Sequence, residues 1–154
     1  MAPGDLLRPL EGQREETIRL LSSLTATELQ KEEPETKWTI GQQFAHIASS
    51  ELGAVFVIRK AVEDELIHTT REDRDRFNEA EVEKSSGWTA DRLRKELEEA
   101  RVQLRELFGS LSEEDLDRAV RWPEWPARTI RTTIPYMLEH EDSHCDLVRR
   151  ALAR

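Results

Sequence analysis

Residues 140–144 read H-E-D-S-H, and no other segment of the chain is as well equipped for chemistry. Histidines four apart stack on one face of a helix, so both imidazoles reach a single ion. On a helical wheel His144 falls within the apolar stripe of its segment and His140 at the edge. Two inward-facing imidazoles need partners, because an unsatisfied buried polar group costs about 1–3 kcal/mol. Either a divalent metal satisfies both, or buried carboxylates or water do. H-E-x-x-H is also a peptidase pattern, with two zinc-binding histidines and a glutamate base. That reading needs a third ligand downstream, and the ten residues after His144 include neither His nor Glu.

A third ligand must therefore come from upstream. His68 lies in a charged stretch and is expected in solvent. His46, in W-T-I-G-Q-Q-F-A-H-I, flanks an apolar stripe and is placed to meet the last helix across an interior; alone, it would read as an ordinary partly buried histidine. Three charged residues interrupt apolar stripes: Arg14, Glu51 and Glu141. Such charges are expensive to desolvate unpaired. They are either wet stripe edges with snorkelling side chains, or a cluster. In the cluster, Glu51 or Glu141 orients a histidine or handles a proton, with Arg14 as counter-charge. Cys145 points about 100° away from His144 around the helix and is not expected to be a ligand.

The elements that must position these residues are helical. Leu7, Leu10, Arg14, Thr17, Ile18, Leu21 and Leu24 mark a first helix from about Pro3 to Leu24. Pro34 and its acidic neighbours interrupt the connector 24–37. Thr39 is placed to cap a second helix whose stripe runs from Ile40 to about Leu66. The long charged stretch 67–87 is expected to be a mobile loop. Thr89 caps a third helix through Leu93, Leu97, Ala100, Leu104 and Leu107, which Gly109 ends. Segment 110–128 contains W-P-E-W-P, which cannot continue a helix but can lid the end of a bundle. A fourth helix runs from near Thr129 to the C-terminus. Four amphipathic helices make an all-α four-helix bundle, one domain over residues 1–154, the expected architecture.

Bulk properties agree. Hydrophobic residues are 37% and charged residues 36% of the chain, a mix that helices with one apolar stripe each accommodate. A formal charge of −9 disfavours nucleic acid as partner. No apolar run approaches the ~20 residues needed to span a bilayer. The N-terminus lacks signal-peptide character, and a single cysteine fits a reducing compartment. A cytoplasmic protein without membrane contact is expected.

Two segments carry a resemblance. W-T-I-G-Q-Q-F-A-H-I-A-S-S-E and T-I-P-Y-M-L-E-H-E-D-S-H look like the two signatures of the DinB/YfiT-like superfamily, and L-S-E-E-D-L-D-R-A-V resembles the segment before that family's last helix. The first signature supplies one histidine and the second two, which fall here on His46, His140 and His144. Many members follow the last histidine with Arg-Gly-Gln, where this chain has Cys145, Asp146 and Leu147. The resemblance implies a bundle, often a homodimer, with a Zn or Ni site. It also implies relatives that include S-transferases and isomerases using low-molecular-weight thiols. Three histidines leave a position open on a tetrahedral ion, as in catalytic sites. The expectation is a metal-dependent enzyme acting on a small-molecule substrate, a thiol S-transferase first and a hydrolase second. The alternative is a non-catalytic metal-binding or dimerising protein with a vestigial site.

Overall fold

The computed structural model describes residues 2–154. Four long helices follow the apolar stripes: α1 (Arg8–Ser22), α3 (Ile40–Val62), α5 (Ala90–Gly109) and α6 (Ile130–Leu152), with short α2 (Ala26–Leu29) between the first two. The last three of these start at a capping threonine. The Thr39 hydroxyl accepts from the Gln42 N–H at 3.1 Å while Gln42 Oε1 accepts from the Thr39 N–H at 2.8 Å. Thr129 and Thr132 form the same reciprocal box at the start of α6, whereas at α5 the Thr89 hydroxyl accepts from the Arg92 N–H at 3.2 Å without a return bond.

α1 packs on α5 and α6, and α3 packs on α5 and α6, so the four helices form a ring in the order α1–α5–α3–α6. Arg14 reaches the Leu97 carbonyl and Arg105 reaches Glu11, so α1 and α5 are antiparallel. Glu51 meets Arg101 and Gly41 meets Leu93, so α3 and α5 run parallel. Parallel neighbours joined in sequence need a long crossover. Residues 63–89 supply it, and they contain a helix where a mobile loop was expected: α4 (Arg71–Lys84), packed on α3.

That difference has a local cause. Val82 is the only buried residue of α4, so there is no stripe to read. Caps and same-face ion pairs define the helix instead. Thr70 and Asp73 form a reciprocal capping box, and Arg76 bridges to Glu72 at 3.0 Å and Asp73 at 2.6 Å. α3 also stops at Val62, short of the Leu66 expected. Asp64 adopts φ 54°, and the N–H groups of Glu65 and Asp64 close onto the Lys60 and Ala61 carbonyls, a left-handed helix stop.

Segment 110–128 contains a 3₁₀ turn (Glu114–Asp117) and β1 (Ala119–Val120), which pairs antiparallel with β2 (Arg128–Thr129). Trp122 and Trp125 stack at 3.8 Å between ring centroids, and Trp122 packs on the core. The core is divided in two. One cluster gathers Leu10, Ile58, Leu104, Phe108 and Ile130; the other gathers Leu21, Phe44, Leu93, Leu97 and Val148. A layer of buried charge separates them. Among the described residues no helix is long and apolar enough to cross a membrane.

Candidate metal centre and its cleft

α3 and α6 bring His46, His140 and His144 together, with one ring nitrogen from each within 4.8 Å of the others. Ring centroids lie 5.1 Å apart for His46–His140 and 4.6 Å for both other pairs. Trp38 covers one side, tilted over His46 at 5.0 Å and parallel to His144 at 6.4 Å. His68 is exposed, and Cys145 faces α1, its Sγ 3.5 Å from the Thr17 hydroxyl.

Hydrogen bonds prepare the ring of His144. Its Nδ1 is 2.7 Å from Gln43 Oε1, and Gln43 Nε2 donates to the Thr36 hydroxyl at 2.6 Å. That hydroxyl donates to Glu33 Oε2 at 2.8 Å. Glu33 also accepts from the N–H groups of Glu35 and Thr36. Burial alone would raise its pKa, but these donors together hold it below the ordinary value. An ionised carboxylate only accepts, so the direction of every bond in the chain follows from it. Thr36 must donate to Glu33 and accept from Gln43, the Gln43 oxygen must face His144, and His144 Nδ1 must carry the proton. Nε2 is left as the ligand atom, oriented as metal-binding histidines are. Sequence reading missed Gln43 and Glu33. The signal available was Gln43 within the W-T-I-G-Q-Q-F-A-H segment, three residues before His46.

His46 Nε2 lies 3.3 Å from the Ser50 hydroxyl, while its buried Nδ1 has no hydrogen-bond partner. An orphaned buried nitrogen beside two other imidazoles is the condition a metal ion relieves. The donor set suits Zn or Ni. Burial pushes the pKa of His46 down to about 3, helped by the nearby positive charge of His144, His140 and Arg74. Burial likewise lowers His144 to about 4, and lowers His140. All three are therefore neutral at physiological pH, the form that binds metal.

Arg14, Glu51 and Glu141 also come together, with a fourth member that sequence reading missed, Arg101. Each helix of the ring contributes one residue. Arg14 of α1 grips Glu141 of α6 through Nη2 at 2.8 Å and Nε at 3.1 Å, and reaches Glu51 of α3 at 2.9 Å. Arg101 of α5 holds Glu51 with Nε and Nη2, both at 3.0 Å. The Thr17 hydroxyl donates to Glu141 at 2.6 Å. All four charged side chains are buried, and two positive charges balance two negative. The carboxylates hydrogen-bond to arginines and Thr17, whereas the histidines find Gln43 and Ser50.

A cleft of about 70 Å³ opens beside His140. Its floor includes Glu51 and Glu141, and its apolar walls include Ile47, Ala54, Val57, Trp122 and Met137. Ser50, Thr133, Tyr136, Arg74 and Arg128 supply polar groups. Arg74 comes from α4, a helix without an apolar stripe to mark it in the sequence.

The family described as the DinB superfamily matches residues 10–148. An uncharacterised protein of Bacillus subtilis (strain 168), YuaE, is 26% identical over 141 residues, covering 85% of this chain and 87% of its own length. No solved structure matches significantly.

Proposed function

This chain belongs to the DinB superfamily, and on that premise we propose that it is a metal-dependent enzyme acting on small molecules, of the thiol S-transferase type. The observation carrying this reading is a three-histidine site that borders a cleft instead of being sealed in the core. A site for structure alone would be closed by a fourth protein ligand. The cleft likewise favours an enzyme over a vestigial site that acts only in dimerisation.

Zn or Ni held there supplies a Lewis acid, which eases loss of a proton from a thiol or a water. The chain's own residues do the rest. Gln43 holds His144 in one tautomer. Ser50, on the cleft wall, hydrogen-bonds His46. Trp122, Val57 and Met137 give the cleft an apolar wall beside His140. Arg14 fixes the carboxylates of Glu51 and Glu141 at the floor, their charge balanced by Arg14 and Arg101. Hydrolysis uses the same features with water as nucleophile and is the second reading.

The test is elemental analysis of protein purified without a His tag or added metal, followed by calorimetry. One equivalent of Zn or Ni is expected, with binding abolished in His140→Ala and intact in His68→Ala. Equal affinity in wild type and His46→Ala would remove the triad from consideration. The loaded protein should then consume a low-molecular-weight thiol in the presence of an electrophile, and a metal-loaded protein inert in that assay but hydrolytic would favour the second reading.

A further inference from the structure

We propose that the cleft receives a small molecule with an apolar body and a carboxylate, and that Arg74 and Arg128 bind the carboxylate. The inference deepens the enzyme reading by naming its substrate class, and rests on that reading for the reacting end of the molecule.

The chain is acidic, and its arginines are mostly spent on carboxylates: Arg14, Arg76, Arg101, Arg105, Arg118 and Arg131 all make ion pairs. Among the described residues, the two arginines lining the cleft make none. Arg74 is partly buried, its guanidinium 5.5 Å from the Trp122 ring centroid. Its Nη1 lies 3.2 Å from where a Cβ on Gly53 would sit, so a glycine at 53 lets it lie against the backbone of α3. Burial lowers its pKa, and the group nearby that opposes this is the Tyr136 phenol, not a carboxylate. Arg128 lies over the Tyr136 ring at 4.3 Å.

Their charge is uncompensated locally. Glu51 and Glu141, the acidic groups of the floor, are already balanced by Arg14 and Arg101. A divalent cation at the triad would add further positive charge to the cleft that His140 and Arg74 line together. Cations converging on a low-dielectric cleft hold an anion far more strongly than water does.

Carboxylate fits better than phosphate. The guanidinium fork matches a planar carboxylate. The cleft is walled by the sides of α3, α4 and α6 and by Trp122 and Arg128, and the Ile130 and Thr132 amides in the first turn of α6 already bond the Arg118 carbonyl and the Thr129 hydroxyl. A phosphoryl group would find no full set of helix-terminal amides there. The apolar walls meet an organic body, with Trp122 as a stacking surface.

The experiment uses benzoate, its neutral isostere benzamide, and inorganic phosphate as probes. Each is titrated by calorimetry into the whole protein, metal-free and zinc-loaded. Benzoate should bind in the metal-free form, and benzamide at least about tenfold more weakly. Arg74→Gln and Arg128→Gln should each weaken benzoate by about tenfold or more, while Arg59→Gln, on an exposed site of α3, leaves it unchanged. Arg74→Lys should recover part of the affinity, which separates lost charge from a disturbed fold. Equal binding of benzamide, no binding of benzoate, or indifference to both cleft substitutions overturns the proposal; tighter binding of phosphate overturns the carboxylate assignment. Zinc affinity distinguishes the two failures. Triad-dependent zinc binding without arginine-dependent benzoate binding refutes this inference alone, and the reverse refutes the metal reading alone.

Discussion

His144 Nδ1 and Gln43 Oε1 lie 2.7 Å apart, at the end of a chain of hydrogen bonds that starts on the buried carboxylate of Glu33. Gln43 belongs to α3 and His144 to α6, so the bond orients a ligand across the helix interface that forms the site. Outer partners of this kind are worth about 10–100-fold in metal affinity. Gln43→Leu should therefore weaken zinc binding by that factor with the helical spectrum intact. Thr36→Val should act in the same direction and more weakly. Unchanged zinc affinity in Gln43→Leu, measured by competition with a chelator, would separate Gln43 from the site.

The buried charge layer yields a stability prediction. Glu51 accepts from both Arg14 and Arg101. Removing it by Glu51→Ala leaves buried Arg101 without its bidentate carboxylate, while Arg14 keeps Glu141, and should cost about 3–5 kcal/mol in urea denaturation. Combining Glu51→Leu with Arg101→Met should cost less than the two changes added separately, because the second removes a charge that the first left unpaired. Strict additivity would mean that the pair does not interact.

Acid should destabilise the metal-free protein through the triad. His46 and His144 have folded pKa values of about 3 and about 4, against 6.5 unfolded. Below 6.5 the unfolded chain binds more protons than the folded one, so stability is complete above 6.5 and falls as the pH drops towards 4. The denaturation midpoint should follow that course. A variant carrying His46→Ala and His144→Ala should show a flatter dependence between the same limits.

Cys145 should be inert in the native state. Burial pushes its thiol up from the ordinary value, only partly offset by the hydrogen bond with Thr17. Thiolate is the reactive form and is scarce under these conditions. A disulfide reagent should label Cys145 readily in denaturant and far more slowly without it. Fast native labelling would show that the α1–α6 seam opens.

Periodicity and spacing in the sequence were enough for the four long helices, the threonine caps of α3 and α5, and the pairing of His140 with His144 on one face. These depend on near neighbours along one chain, and a helix converts such spacings into positions by a fixed geometry. His46 was legible as a candidate for the same reason, lying beside a stripe that had to face inward. Arg101, Gln43, Glu33 and Arg74 belong to another category. Arg101 follows Ala100 in a helix dense with surface charge, and nothing local separates it from arginines that stay in water. Arg74 sits in a helix with no stripe, where α3 and Trp122, distant in sequence, turn it toward the cleft. What a polar side chain does is decided by which acceptor the packing places opposite it. For these residues the partners are Glu51, Thr36, His144 and an open cleft, brought opposite them by how α3, α4, α5 and α6 meet.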